Sequence, residues 1–155
     1  MNTQHLYWRF ELLWWIITVL VAGVVLAPMI IEVKDYPFIF INALYIITFI
    51  TVTRYIFLLH LTFLAHRQRI KVAFVFLFLP FIFFQVEQLS LFQEFLDNEG
   101  AIALVASLPT TSQVGMASYI QSQMLLFAVG SIISSVLFPI RLLVSVWRNY
   151  NKGTV

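Results

Sequence analysis

Residues 12–31 (LLWWIITVLVAGVVLAPMII) form a run of twenty without one charged side chain. A helix rises about 1.5 Å per residue, so twenty residues reach roughly 30 Å, the thickness of a bilayer's hydrocarbon core. The run is too long for a signal-peptide core of roughly 7 to 15 residues, and no A-x-A cleavage site follows it. It is read as a retained first transmembrane helix. Glu32, Lys34, Asp35 and the Tyr36-Pro37 turn end it, because proline disfavours helix in the residue before it.

The same pattern recurs along the chain and predicts an all-α integral membrane protein with four transmembrane helices. The spans fall at about 12–31, 38–60, 72–86 and 123–146, in one membrane domain covering 1–155, with an outside loop at 87–122. The second runs on through YIFLLHLTFLAH and is closed by Arg67, Arg69 and Lys71. The third is short and Phe-rich, with Pro80 removing one backbone donor. In the loop, Leu89, Phe92, Phe95 and Leu96 sit at helical spacing before a Gly100 stop, which predicts an amphipathic surface helix between the third and fourth spans. Charged residues are only 10% of the chain, against roughly 25% in a soluble domain, so a water-soluble globule is excluded.

The few charges are sorted by sign. One side of the predicted bilayer holds Arg9, Arg54, Arg67, Arg69, Lys71, Arg141, Arg148 and Lys152 against the single acid Glu11. The other holds Lys34 against Glu32, Asp35, Glu87, Glu94, Asp97 and Glu99. The positive-inside bias then puts both termini in the cytoplasm and the chain in the plasma (inner) membrane. Trp8, Trp14, Trp15 and Trp147 all fall at the basic end, the headgroup level that suits amphipathic rings. A pI near 9.1 does not point to nucleic acid, since the bases flank apolar spans instead of forming a basic face.

Chemistry is sparse. The chain has no cysteine, which excludes disulfides, thiolate metal sites and iron-sulfur clusters. His60 and His66 lie about 240° apart on one segment and His5 stands near the N-terminus, so no pair of histidines opposes across a haem or metal. No H-E-x-x-H, G-x-S-x-G, Walker or dinucleotide motif occurs. No catalytic residue, metal or cofactor is therefore expected. Arg54 is the sharpest feature, about 24 Å from the outer end of its span, and a charge at that depth is by default a functional hypothesis. It either snorkels to inner-leaflet phosphates or pairs with Glu11, the one acid on its side. Glu11, Arg54 and Arg141 are the charges that topology explains least.

On the fourth span, Gln123, Gly130, Ser134, Arg141 and Ser145 fall within an arc of about 60°. Gly130-x-x-x-Ser134 and Ser131-x-x-x-Ser135 are small-xxx-small spacings that let backbones approach closely. This face is read as a packing surface, within the bundle or against a partner. The order of a short apolar stretch at 101–108, then Thr110, Thr111 and Gly115, then a helix, resembles pore-loop cation channels. The tyrosine-glycine pair of a potassium filter is absent, since Met116 and Ala117 follow Gly115. The other reading is a loop lying on the membrane, with Pro109-Thr110 opening the fourth helix. The function expected from these features is a small non-enzymatic subunit, assembly factor or interaction partner in a larger membrane complex. Its contacts would be the bilayer and a protein partner or a second copy of itself. The alternative is a homo-oligomeric ion channel or transporter using residues 101–130 and Arg54.

Overall fold

The computed structural model describes residues 3–151. Lys152 lies outside the described residues, as do the side chains of His5 and His66. Four helices dominate: α1 (Thr3–Glu32), α2 (Ile39–Leu58), α3 (Gln68–Glu99) and α4 (Thr110–Asn151). Each is long and apolar enough to cross a membrane. Helices α2 and α4 form the central pair, with α1 packed on α2 and α3 packed on α4.

Helix α3 buries Lys71, Phe78, Gln85 and Phe92, one residue in every seven. Helix α4 buries Ala117, Met124, Ser131 and Phe138 at the same interval. A seven-residue repeat keeps one stripe facing a neighbouring helix along a left-handed seam, and here two such stripes meet head to tail. Lys71 donates to Ser145 at 3.0 Å. The Phe78 and Phe138 rings pack edge-on with centroids 4.8 Å apart. Ser131 donates to the Gln85 amide oxygen, and the same register aligns Phe92 with Met124, both fully buried.

That seam accounts for a difference from the sequence pattern. No separate amphipathic helix stands between the third and fourth spans among the described residues. Leu89, Phe92, Phe95 and Leu96 have helical spacing because they continue the α3 stripe, packing with Phe38, Leu104, Val105 and Ile120 in one core cluster. Gly100, at φ +81°, ends α3 with its N–H on the Leu96 carbonyl at 3.0 Å, a left-handed stop that glycine adopts without a Cβ penalty. A 3-10 turn (Ala101–Val105) leads to α4, which starts at Thr110.

Helix α2 stops at Leu58, and two 3-10 turns, Leu59–Leu61 and Phe63–His66, carry the chain to α3. Thr62 causes the break. Its backbone is extended (φ −103°, ψ 162°) and its hydroxyl donates to the Leu59 carbonyl at 2.8 Å, a local bond that competes with the helical ladder.

Candidate functional site

Among the described residues, a buried stripe of α1 runs from Glu11 through Thr18, Ala22, Leu26 and Met29. Arg54 lies on the face of α2 that meets it. The two side chains are 5% and 9% exposed, and Arg54 Nη2 stands 2.6 Å from Glu11 Oε2. Tyr55 donates to the same oxygen at 3.3 Å. The guanidinium also lies 4.9 Å from the Tyr55 ring centroid and 5.7 Å from that of Trp14, close enough for cation–π attraction in a desolvated setting. Glu11 Oε1 is buried with no hydrogen-bond partner. Arg141 is not in this group; its Nε donates to the Ile56 carbonyl at 3.1 Å and ties α4 to the end of α2.

The small residues of α4 face inward. Gly130 lies against Phe49 of α2, where an added Cβ would come within 2.8 Å of the ring. Ser131 and Ser135 are fully buried, and Gln85 of α3 holds both: it accepts from Ser131 and donates to Ser135 at 2.9 Å. Tyr45 of α2 donates to the Gln85 carbonyl at 2.6 Å, so one residue fastens three helices. Ser134 donates to the Ser131 carbonyl at 3.0 Å. The face is taken up by packing within the bundle.

Thr110, Thr111 and Gly115 lie in the opening turns of α4 and are exposed. The preceding 3-10 turn buries Leu104 and Val105 in the core. The tract at 101–115 caps the acidic end of the bundle, and its carbonyls from Thr110 onward face along a helix instead of converging on a filter.

Two groups were not legible as sites in the sequence. Lys71 looks in the sequence like a flanking charge, yet it is 1% exposed and its ammonium bonds the Ala65 carbonyl at 2.8 Å, Ser145 at 3.0 Å and Gln68 at 3.3 Å. The 3-10 turns ahead of α3 bring the Ala65 carbonyl into that position. At the acidic end, Asn42 and Gln123 both direct their amide nitrogens to the Met29 sulfur at 3.7 Å, with Asn42 Oδ1, Gln123 Oε1 and the Tyr36 hydroxyl buried and unpartnered. Burial pushes the Tyr36 hydroxyl above its ordinary pKa, so it stays neutral. The signal for Lys71 and Gln85 was the seven-residue interval shared with Phe78 and Phe92.

Beside the Glu11–Arg54 pair, α1 and α3 stand apart and leave a cleft of about 1340 Å³. Leu12, Leu13 and Ile16 form one wall, Phe74 and Phe78 the other, and Val52 and Phe138 lie at its floor. Arg9 and Arg67 also line it. Among the described residues, no group of three or more His, Asp or Glu is placed to hold a metal ion. No protein-family model, curated protein or solved structure matches the chain.

Proposed function

We propose that the chain is a non-enzymatic, multi-pass protein of the plasma membrane with both termini cytoplasmic, acting as a subunit, assembly factor or interaction partner in a larger membrane complex. One observation carries the reading: three sets of polar side chains deep in the bundle bind its helices to one another, while Tyr36 and the oxygens of Asn42 and Gln123 stay unpartnered at the acidic end. Gln85, Tyr45, Ser131 and Ser135 close one set of bonds, Lys71 with Ser145 a second, and Glu11 with Arg54 a third. A solute path or a catalytic centre needs polar groups left open to a substrate, whereas these groups already serve as fasteners. What remains for function is the outer surface. The charges support the orientation, since Arg9, Arg67, Arg69 and Arg148 gather at one end and Glu94, Asp97 and Glu99 at the other.

The test is purification of the tagged chain from its native membranes in mild detergent. A larger membrane protein should accompany it at a fixed ratio through successive columns. Recovery as a lone monomer under conditions that keep other complexes whole would sink the proposal. For orientation, a membrane-impermeant thiol reagent applied to intact cells should label Thr111→Cys and spare Asn149→Cys; the reverse pattern would invert the topology.

A further inference from the structure

We infer that the cleft between α1 and α3 is a binding site for one phospholipid with a net negative headgroup, its acyl chains between the two helices and its phosphate held by Arg9 and Arg67. The inference goes beyond the proposed function and does not rest on it. Three observations carry it.

The first is charge. Two arginines, Arg9 and Arg67, line the cleft and Glu11 is the one acid there. Glu11 is already paired with Arg54, so Arg9 and Arg67 bring two positive charges that nothing in the cleft answers. Both side chains are exposed, and neither has an ion-pair partner among the described residues. Guanidinium groups bind phosphate oxygens through paired, charge-assisted hydrogen bonds.

The second is depth. Along α1 the cleft runs from Trp8 to Ile16, about 12 Å at the helical rise. That is close to one leaflet of a hydrocarbon core roughly 30 Å thick. Arg9 lies at the α1 end of this run and Arg67 just before α3, so the cations mark the mouth and the apolar side chains the interior. An amphiphile with one polar end matches this division, whereas a crossing helix from a partner would continue past Ile16 into the other leaflet.

The third is size. At about 1340 Å³ the cleft exceeds the roughly 300–1,000 Å³ that encloses a drug-sized ligand. A double-chained lipid fills such a volume.

The experiment uses the whole chain in nanodiscs of phosphatidylcholine doped with phosphatidylglycerol, released into mild detergent and weighed with its bound lipid by native mass spectrometry. The expected result is about one phosphatidylglycerol per chain, retained in preference to phosphatidylcholine and stripped by high salt. Arg9→Gln and Arg67→Gln should each weaken retention about fivefold, the usual worth of one cation against an anionic surface. Arg148→Gln, a cation of the same end outside the cleft, should leave retention unchanged. The inference is overturned if both lipids are held equally, if Arg148→Gln has the same effect as the cleft variants, or if the retained mass is a second copy or another protein. Should either variant fail to fold, competition between the two lipids on the unaltered chain still decides the matter.

Discussion

The Glu11–Arg54 pair shows what a charge in an apolar setting demands of its neighbours. Taking an ion out of water costs several kcal/mol, and removing one member of a buried pair leaves that cost unanswered on the other. Glu11→Gln should therefore lower stability by about 3 kcal/mol, read as the melting midpoint in detergent. Replacing both together, Glu11→Leu with Arg54→Met, should stay within about 1 kcal/mol of the unaltered chain, because no charge is then stranded. A fall as large as the single substitution would mean that the pair supplies more than mutual neutralisation. Glycines divide in the same way. Gly130→Leu drives a side chain into the Phe49 ring and should cost about 1–3 kcal/mol, whereas Gly23 has nothing within 4 Å of an added Cβ and Gly23→Leu should be neutral or slightly stabilising. The small-xxx-small spacing at Gly130 and Ser134 marks that glycine as one of close approach, but the sequence does not say that the group it meets is the Phe49 ring.

Among the elements, α3 and α4 carry the most information about register. Their facing layers alternate in character: Lys71 with Ser145, Phe78 with Phe138, Gln85 with Ser131, then Phe92 aligned with Met124. A shift of seven residues would set an amide against a phenyl ring and leave buried donors unmet, at about 1–3 kcal/mol for each group. Polar residues at seam positions commonly fix register in this manner. The chain has no cysteine of its own, so paired substitutions test it directly. Phe78→Cys with Phe138→Cys should cross-link under mild oxidation, as should Gln85→Cys with Ser131→Cys, while Phe78→Cys with Ser131→Cys should not. Cross-linking of the mismatched pair would show that the helices slide. The number and order of the helices were legible because long uncharged runs have few other fates. Where each helix faces was not, since the few polar residues of α1 and α2 mark no single face: Tyr45, Thr48, Thr51 and Arg54 are distributed round α2. The segment at 89–100 differs for a related reason: its spacing belongs to a stripe that starts at Lys71, and a stripe cut at Glu87 looks like a separate helix.

At the scale of the molecule, length and thickness disagree in an informative way. Helix α3 has 32 residues and α4 has 42, about 48 Å and 63 Å at the helical rise, against a hydrocarbon core of roughly 30 Å. The excess lies largely at the acidic end, where the last part of α3 and the first part of α4 pack round Phe92, Val105 and Ile120. Glu94, Asp97, Glu99, Thr110 and Thr111 there are exposed. These lengths predict that the bundle stands out of the bilayer as a short acidic stalk. Glu94→Cys and Ser112→Cys should react with a bulky, impermeant maleimide, whereas Leu126→Cys, exposed on α4 but within the apolar run, should stay unlabelled until the membrane is dissolved. Labelling of Leu126→Cys in intact membranes would require a shallower placement.

The alternation of layers along α3 and α4 also limits how the two ends of the molecule can communicate. A piston, in which one helix slides against the other, would have to pass through the mismatched arrangement at every heptad. Polar layers fourteen residues apart, about 21 Å, lock the pair at two depths together. Helix α1 lies outside that lock, held at the basic end by the Glu11–Arg54 pair and at the acidic end by Met29, which receives the Asn42 and Gln123 amides, and by the Tyr119 hydroxyl on the Val25 carbonyl. Motion across this membrane would therefore take the form of the first half of α1 swinging about its anchored acidic end, opening or narrowing the space beside α3 without changing its length.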